Sequence, residues 1–136
     1  MDIFLELIKP LPHFLAYLGT ALGLTTLFSI LYTAITPHSE WTLLRQGNIS
    51  ASLAFGGSLL GFVLPLASAI SHSVSLVDCV VWGIVALFVQ LGAFFGLRLV
   101  LRNLPQDIEA DKRGVGLFAA LFFLSIGVLN AACMTW

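Results

Sequence analysis

Charge is the property this chain has least of. Seven acidic and six basic residues serve a chain of 136, so 10% of it is charged, against roughly 25% in a soluble domain. The charges also leave four long gaps. Residues 10–39, 46–77, 79–97 and 114–136 contain no Asp, Glu, Lys or Arg, runs of 30, 32, 19 and 23 residues. Cysteine is scarce as well. Two thiols make no disulfide framework, and no Cys/His spacing matches a zinc site. A net charge of −1 says nothing about a polyanionic partner; nucleic acid is excluded as a partner because charge-free runs of this length read as membrane spans. The start MDIFLELIKP carries two acids before its first base, unlike a signal peptide, so the first apolar run is expected to remain in the mature chain.

What is present is apolar. At 59% hydrophobic residues and a mean hydropathy of +1.01, the chain lies outside the soluble class. A bilayer-spanning helix needs about 20 apolar residues, so the charge-free runs read as four spans, about 13–35, 49–70, 76–101 and 115–136. Nothing in the given length is left for a soluble domain; residues 1–136 are one all-α membrane domain, a four-helix bundle. Residues 1–9 read as a short interfacial helix ended by Pro10 and Pro12. Tyr17, Trp41, Trp82 and Trp136, together with His13, His38 and His72, fall near the span ends. A repeat at an offset of 69, matching Glu40 with Glu109, Gly47 with Gly116 and Ala51 with Ala120, suggests two parallel copies of a two-helix unit.

Small residues mark the faces on which helices meet. Gly19/Gly23, Gly57/Gly61 and Gly92/Gly96 are GxxxG pairs in the first three spans, and Gly127 with Ala131 serves the fourth. Lipid supplies no hydrophobic drive between helices, so close backbone approach at such residues must do that work. Span two carries a continuous stripe, Ser50, Ala54, Gly57, Gly61, Ser68 and His72, and span four one of Gly116, Ala120, Gly127, Asn130 and Ala131. Span three has two small faces, Gly92/Gly96 and, opposite, Gly83, Ala86, Gln90 and Ala93. The spare face is the kind a homo-oligomer uses. Pro65 denies the carbonyl of Gly61 its helical donor.

Candidate chemistry is thin. No span carries an ionisable residue at its middle, which argues against proton relays, voltage sensing and most ion-coupled transport. Gln90 is the one strongly polar group near mid-membrane and reads either as a conduit-lining amide or as an interhelical hydrogen bond. Thr26, Ser29 and Thr33, with Thr25 and Tyr32, either line a wet vestibule or bond carbonyls one turn back. His13 and His72 lack the carboxylates of a metal site, and Cys79 and Cys133 fall near one face as free thiols or as a bridge. No nucleophile, base and oxyanion set is visible, so the chain reads as a non-enzyme without a cofactor.

The segments LYTAITPHSEW (31–41), RQGN (45–48), GFVLPLASAISHSVSLVD (61–78), Trp82-Gly83 with Gln90, and LNAACMTW (129–136) resemble the YjfL-type family of bacterial inner-membrane proteins, a domain of unknown function numbered 350. The resemblance covers nearly the whole chain. It implies a small four-span inner-membrane protein built from a two-helix unit used twice, in a context of envelope and stress-response genes. It transfers no catalytic or binding residue. The expected function is a structural or interaction component of the envelope, surrounded by the lipid bilayer and contacting a soluble partner through the charged loops 36–48 and 102–114. The alternative is an oligomeric conduit lined by Gln90 and the span-one hydroxyls.

Those loops hold or adjoin Arg45, Arg98, Arg102, Lys112 and Arg113, whereas the opposite side has Lys9 alone. The positive-inside rule therefore places loops 36–48 and 102–114 in the cytoplasm and both termini outside. A reporter fused at Trp136 should be active outside the inner membrane and silent in the cytoplasm; the reverse pattern overturns the charge argument.

Overall fold

The computed structural model describes residues 2–37 and 40–134, so His38 and Trp136 lie outside the described residues. Among those described, the chain is helical throughout: α1 (Asp2–Ile8), α2 (Leu11–Ile35), α3 (Glu40–Arg45), α4 (Ile49–His72), α5 (Leu76–Val100), α6 (Leu104–Glu109) and α7 (Arg113–Cys133). Four stretches are long and apolar enough to cross a membrane: α1 with α2, then α4, α5 and α7. Each helix boundary has a local cause. Pro12 in the first turn of α2 removes an N–H that would lack a helical partner anyway, so the helix starts at Leu11, between the two prolines that end α1. Asn48 accepts from the Ala51 amide at 2.8 Å to open α4. Ser75 accepts from the Asp78 amide at 3.2 Å while the Asp78 carboxylate takes the Val74 amide, a reciprocal cap on α5.

The loop segments hold more structure than their charge suggested. Each contains a short helix that folds back on the bundle. Glu40 of α3 and Leu104, Pro105 and Ile108 of α6 are buried. The order of elements repeats, spanning helix, short helix, spanning helix, but not in the register read from sequence. Glu40 and Leu104 open the short helices, Ile49 and Arg113 open the helices that follow, and Gly47 and Asp111 hold the left-handed turns between, each pair 64 residues apart. The offset of 69 had matched acidic residues that are not structurally equivalent.

The core is built on α4 and α7, which lie parallel with their backbones in contact. Gly116 meets Ser50, Gly57 meets Ala120, Gly61 meets Phe123, and Gly127 meets Gly61. The seam ends where the Ser68 hydroxyl donates to the Ala131 carbonyl at 3.2 Å. At its centre a hydrogen of Gly127 points at the Gly61 carbonyl, the oxygen left without a helical donor by Pro65. Helix α5 packs beside this pair through Ala86, Leu87, Gln90, Ala93, Phe94 and Leu97. Helix α2 leans on all three by one side of its second half, Leu24, Phe28 and Tyr32. Phe28 stacks on Phe62 at 4.7 Å, and the Tyr32 ring lies edge-on to Phe55, Phe94 and Phe123 at 5.4, 5.6 and 6.2 Å. One aromatic cluster thus ties α2 to every other spanning helix.

A methyl group at Gly57, Gly61, Gly116 or Gly127 would overlap backbone atoms of the facing helix, which cannot rotate away. Each Gly→Ala change there should cost about 1–3 kcal/mol in a detergent unfolding assay, the usual penalty for overpacking. Gly83→Ala meets only the ends of the Leu24 and Leu66 side chains, and Gly92→Ala meets nothing within 4 Å, so both should be near neutral. Equal tolerance at all six positions would dissolve the distinction between closed and open faces.

Candidate functional site

Two polar clusters interrupt the apolar interior. The first centres on Gln90, which is fully buried on the face of α5 turned toward the seam. Its amide nitrogen donates to the Ser58 carbonyl of α4 at 3.1 Å and to the Phe123 carbonyl of α7 at 3.3 Å. One side chain therefore joins three helices at the level where Gly61 allows the approach: a Cβ at Gly61 would strike the Gln90 amide nitrogen itself. Among the described residues, the Gln90 carbonyl oxygen and the Ser58 hydroxyl have no hydrogen-bond partner. The amide acts as a tie between helices, and the aromatic rings of Phe62, Phe94 and Phe123 pack in the same core.

The hydroxyls of α2 turn to their own helix. Thr25 donates to Ala21, Thr26 to Leu22, Ser29 to Thr25, and Thr33 to both Ser29 and Ile30, at 2.8–3.0 Å. They do not converge on Gln90. Of the predicted packing residues, Gly57, Gly61, Gly127 and Ala131 lie in the α4–α7 seam. Gly19 and Gly23 on α2 and Gly92 and Gly96 on α5 face open space, so within the chain these two pairs form no seam. The two faces of span three are thereby sorted: the Gln90 face is interior, and the Gly92/Gly96 face is the spare one. The His13 ring lies tilted against Tyr17 with centroids 4.6 Å apart, and His72 meets the Ser68 carbonyl at 2.9 Å. Among the described residues no three His, Cys, Asp or Glu side chains converge. Cys79 is a buried free thiol and Cys133 an exposed one.

The second cluster sits where the two short helices meet the bundle. Asn48 faces both ways: its oxygen caps α4, while its amide nitrogen donates to the Ile108 carbonyl at the end of α6 at 2.9 Å. Asp111 completes the link by accepting from the Ser50 amide at 2.9 Å. It does so from a left-handed backbone with φ 56, a conformation that Asp tolerates better than most residues. The two halves of the chain therefore cap one helix jointly. An Asn before an apolar run is a legible helix start. That its other end would close on α6, and that Asp111 would reach the start of α4 from 61 residues away, had no local signal. The Lys112–Asp107 pair at 3.1 Å is exposed on the lysine side and adds little.

The chain matches the model of a family described as a domain of unknown function, DUF350, over residues 6–134. It is similar to the UPF0719 inner membrane protein YjfL of Escherichia coli K12, 41% identical over 132 residues, 97% of this chain and all of that protein. The UPF0719 transmembrane protein YshE of Bacillus subtilis is 28% identical over 115 residues, 83% of this chain and 84% of that one. No solved structure matches.

Two measurements test these clusters. Gln90→Leu removes both ties while the Ser58 and Phe123 carbonyls keep their helical donors, so the loss in detergent stability should be about 1 kcal/mol, two bonds at an average of about 0.6 kcal/mol each. A loss comparable to that of Gly61→Ala would mean that the amide carries the packing. The Ser50 amide, with the charge of Arg113, holds the Asp111 carboxyl below its ordinary value of 3.8 despite opposing desolvation. A depressed carboxyl stabilises the fold above its unfolded value and loses that contribution as pH falls through the folded one. Unfolding curves of the parent should therefore weaken as pH drops below about 4, and Asp111→Asn, which keeps the acceptor and the backbone conformation, should flatten that segment. An unchanged acid limb in Asp111→Asn would remove Asp111 from the cap.

Proposed function

We propose a role that starts from one premise, that the chain belongs to the DUF350 family, whose relatives above are named membrane proteins without a stated activity. It is a membrane protein with four candidate spans. Our reading is an interaction component of the bacterial envelope that associates with copies of itself and presents its α3–α6 end to a soluble partner. The carrying observation is α2. Only Leu24, Phe28 and Tyr32 of its 25 residues are buried, while Gly19 and Gly23 form a flat face that meets no helix of the same chain. Such a pair is the surface on which membrane helices pack closely.

Orientation follows from charge. With five basic residues at the α3–α6 end and one at the other, that end lies in the cytoplasm and both termini lie outside. The folded cap formed by α3, α6, Asn48 and Asp111 is then a shaped surface, with Arg45, Glu109, Lys112 and Arg113 exposed upon it. An interaction role suits this better than catalysis, for which no reactive set is assembled among the described residues. The conduit reading is second, because Gln90 and the hydroxyls of α2 bond within the chain.

Cross-linking in native membranes should trap an oligomer of the parent chain. Gly19→Leu with Gly23→Leu should reduce it severalfold, with the unfolding midpoint in detergent little changed, because both positions are open in the single chain. A parent that stays monomeric in lipid nanodiscs overturns self-association, and solute flux through proteoliposomes would favour the conduit instead.

A further inference from the structure

Asp78 and Arg98 bracket the 19 charge-free residues of α5, about 28 Å of helix at 1.5 Å per residue and close to the hydrocarbon thickness of about 30 Å. Arg98 therefore stands at the boundary between acyl chains and headgroups, with Arg102 four residues beyond it. At 100° per residue Arg98 lies half-buried on the flank of α5 between the Gln90 face and the exposed Phe95 and Leu99, and Arg102 follows just past the helix end at Val100. There Phe95, Arg98, Leu99 and Arg102 line an open cleft of about 370 Å³. Of the acids nearest in sequence, Asp107 pairs with Lys112 and Asp111 accepts from the Ser50 amide, while Glu109 is exposed. Among the described residues neither guanidinium has an ion-pair or hydrogen-bond partner.

We propose that this cleft is a binding site for the phosphate headgroup of an anionic phospholipid. The chemistry is complementary in both parts. Two guanidinium groups lining one cleft, uncompensated at the headgroup level, offer the forked donors that match phosphate oxygens. Phe95 and Leu99 between them, and the bare backbone of Gly92 one turn deeper, provide an apolar track for the acyl chain below. A lone arginine at a helix end only reaches for water. A pair that shares a concavity with an apolar floor selects a lipid carrying net negative charge over a zwitterionic one. The site depends neither on self-association nor on which side of the membrane the α3–α6 end faces.

The parent chain extracted from mixed phosphatidylcholine–phosphatidylglycerol vesicles should retain phosphatidylglycerol in native mass spectrometry. Arg98→Gln with Arg102→Gln should reduce that retention about 30-fold, the contribution expected of two basic side chains near a membrane surface. Lys112→Gln with Arg113→Gln, at the same end but outside the cleft, should retain the lipid. A second measurement needs no variant. Phenylglyoxal labelling of Arg98 and Arg102 in the parent chain should be suppressed when phosphatidylglycerol is added to phosphatidylcholine vesicles. Retention unaffected by the double substitution, or labelling unaffected by phosphatidylglycerol, overturns the site. Protection by inorganic phosphate in phosphatidylcholine vesicles equal to that by phosphatidylglycerol identifies a free-anion site and overturns the lipid assignment.

Discussion

The backbone contact between α4 and α7 is the constraint on which the remaining packing depends. In a bilayer, an apolar side chain gains nothing by leaving lipid for protein, so helices are held by the dispersion available at close range and by hydrogen bonds. Gly57, Gly61, Gly116 and Gly127 remove the side chains that would keep the two axes apart, and the gain is collected along the whole parallel seam. Everything else attaches to this pair. Gln90 reaches two carbonyls at once only because α4 and α7 lie within one side chain's span of each other. The aromatic cluster around Tyr32 sits where α2 and α5 close over the same pair.

Polar groups in such an environment must find partners within the protein. The hydroxyls of α2 bond carbonyls one turn back, a local solution that leaves the helix independent of its neighbours. Gln90 adopts a tertiary solution and becomes a tie among three helices. At the membrane boundary, Asn48 and Asp111 cap α4 from both halves of the chain, which fixes α6 and the start of α7 relative to α4. These choices divide the molecule into a tightly joined trio, α4, α5 and α7, and a first helix attached by one side of its second half. The faces left over, Gly19/Gly23 on α2 and Phe95–Arg102 on α5, differ in kind. The first is flat and apolar, suited to another helix; the second is charged and concave, suited to a lipid headgroup.

Much of this was legible in the residues. Four spans follow from the lengths of the charge-free runs, because hydrocarbon thickness admits few other readings of an apolar stretch of that length. The small-residue faces follow from helical periodicity, and the burial of Gln90 follows from the cost of an amide in lipid. Helix starts at Asn48 and Ser75 follow from side chains that bond nearby amides. All of these are local rules or properties of the surrounding medium, so one chain suffices to apply them.

Which faces close on each other was decided only by the assembled structure. Gly57/Gly61 and Gly92/Gly96 carry the same local pattern, yet the first pair meets the backbone of α7 and the second meets nothing. A GxxxG motif makes a helix flat on one side; whether a partner lies there depends on the placement of helices remote in sequence. The same holds for the repeat, whose register became visible only through the matching turns at Gly47 and Asp111, one a glycine and the other an aspartate. It holds too for the folded α3–α6 end, where charged composition suggested solvated loops and burial of Glu40, Leu104 and Ile108 made a cap. Composition and period set what each helix could do with a neighbour, and three-dimensional packing chose the neighbour, because contact energies in lipid fall off within an atom's width.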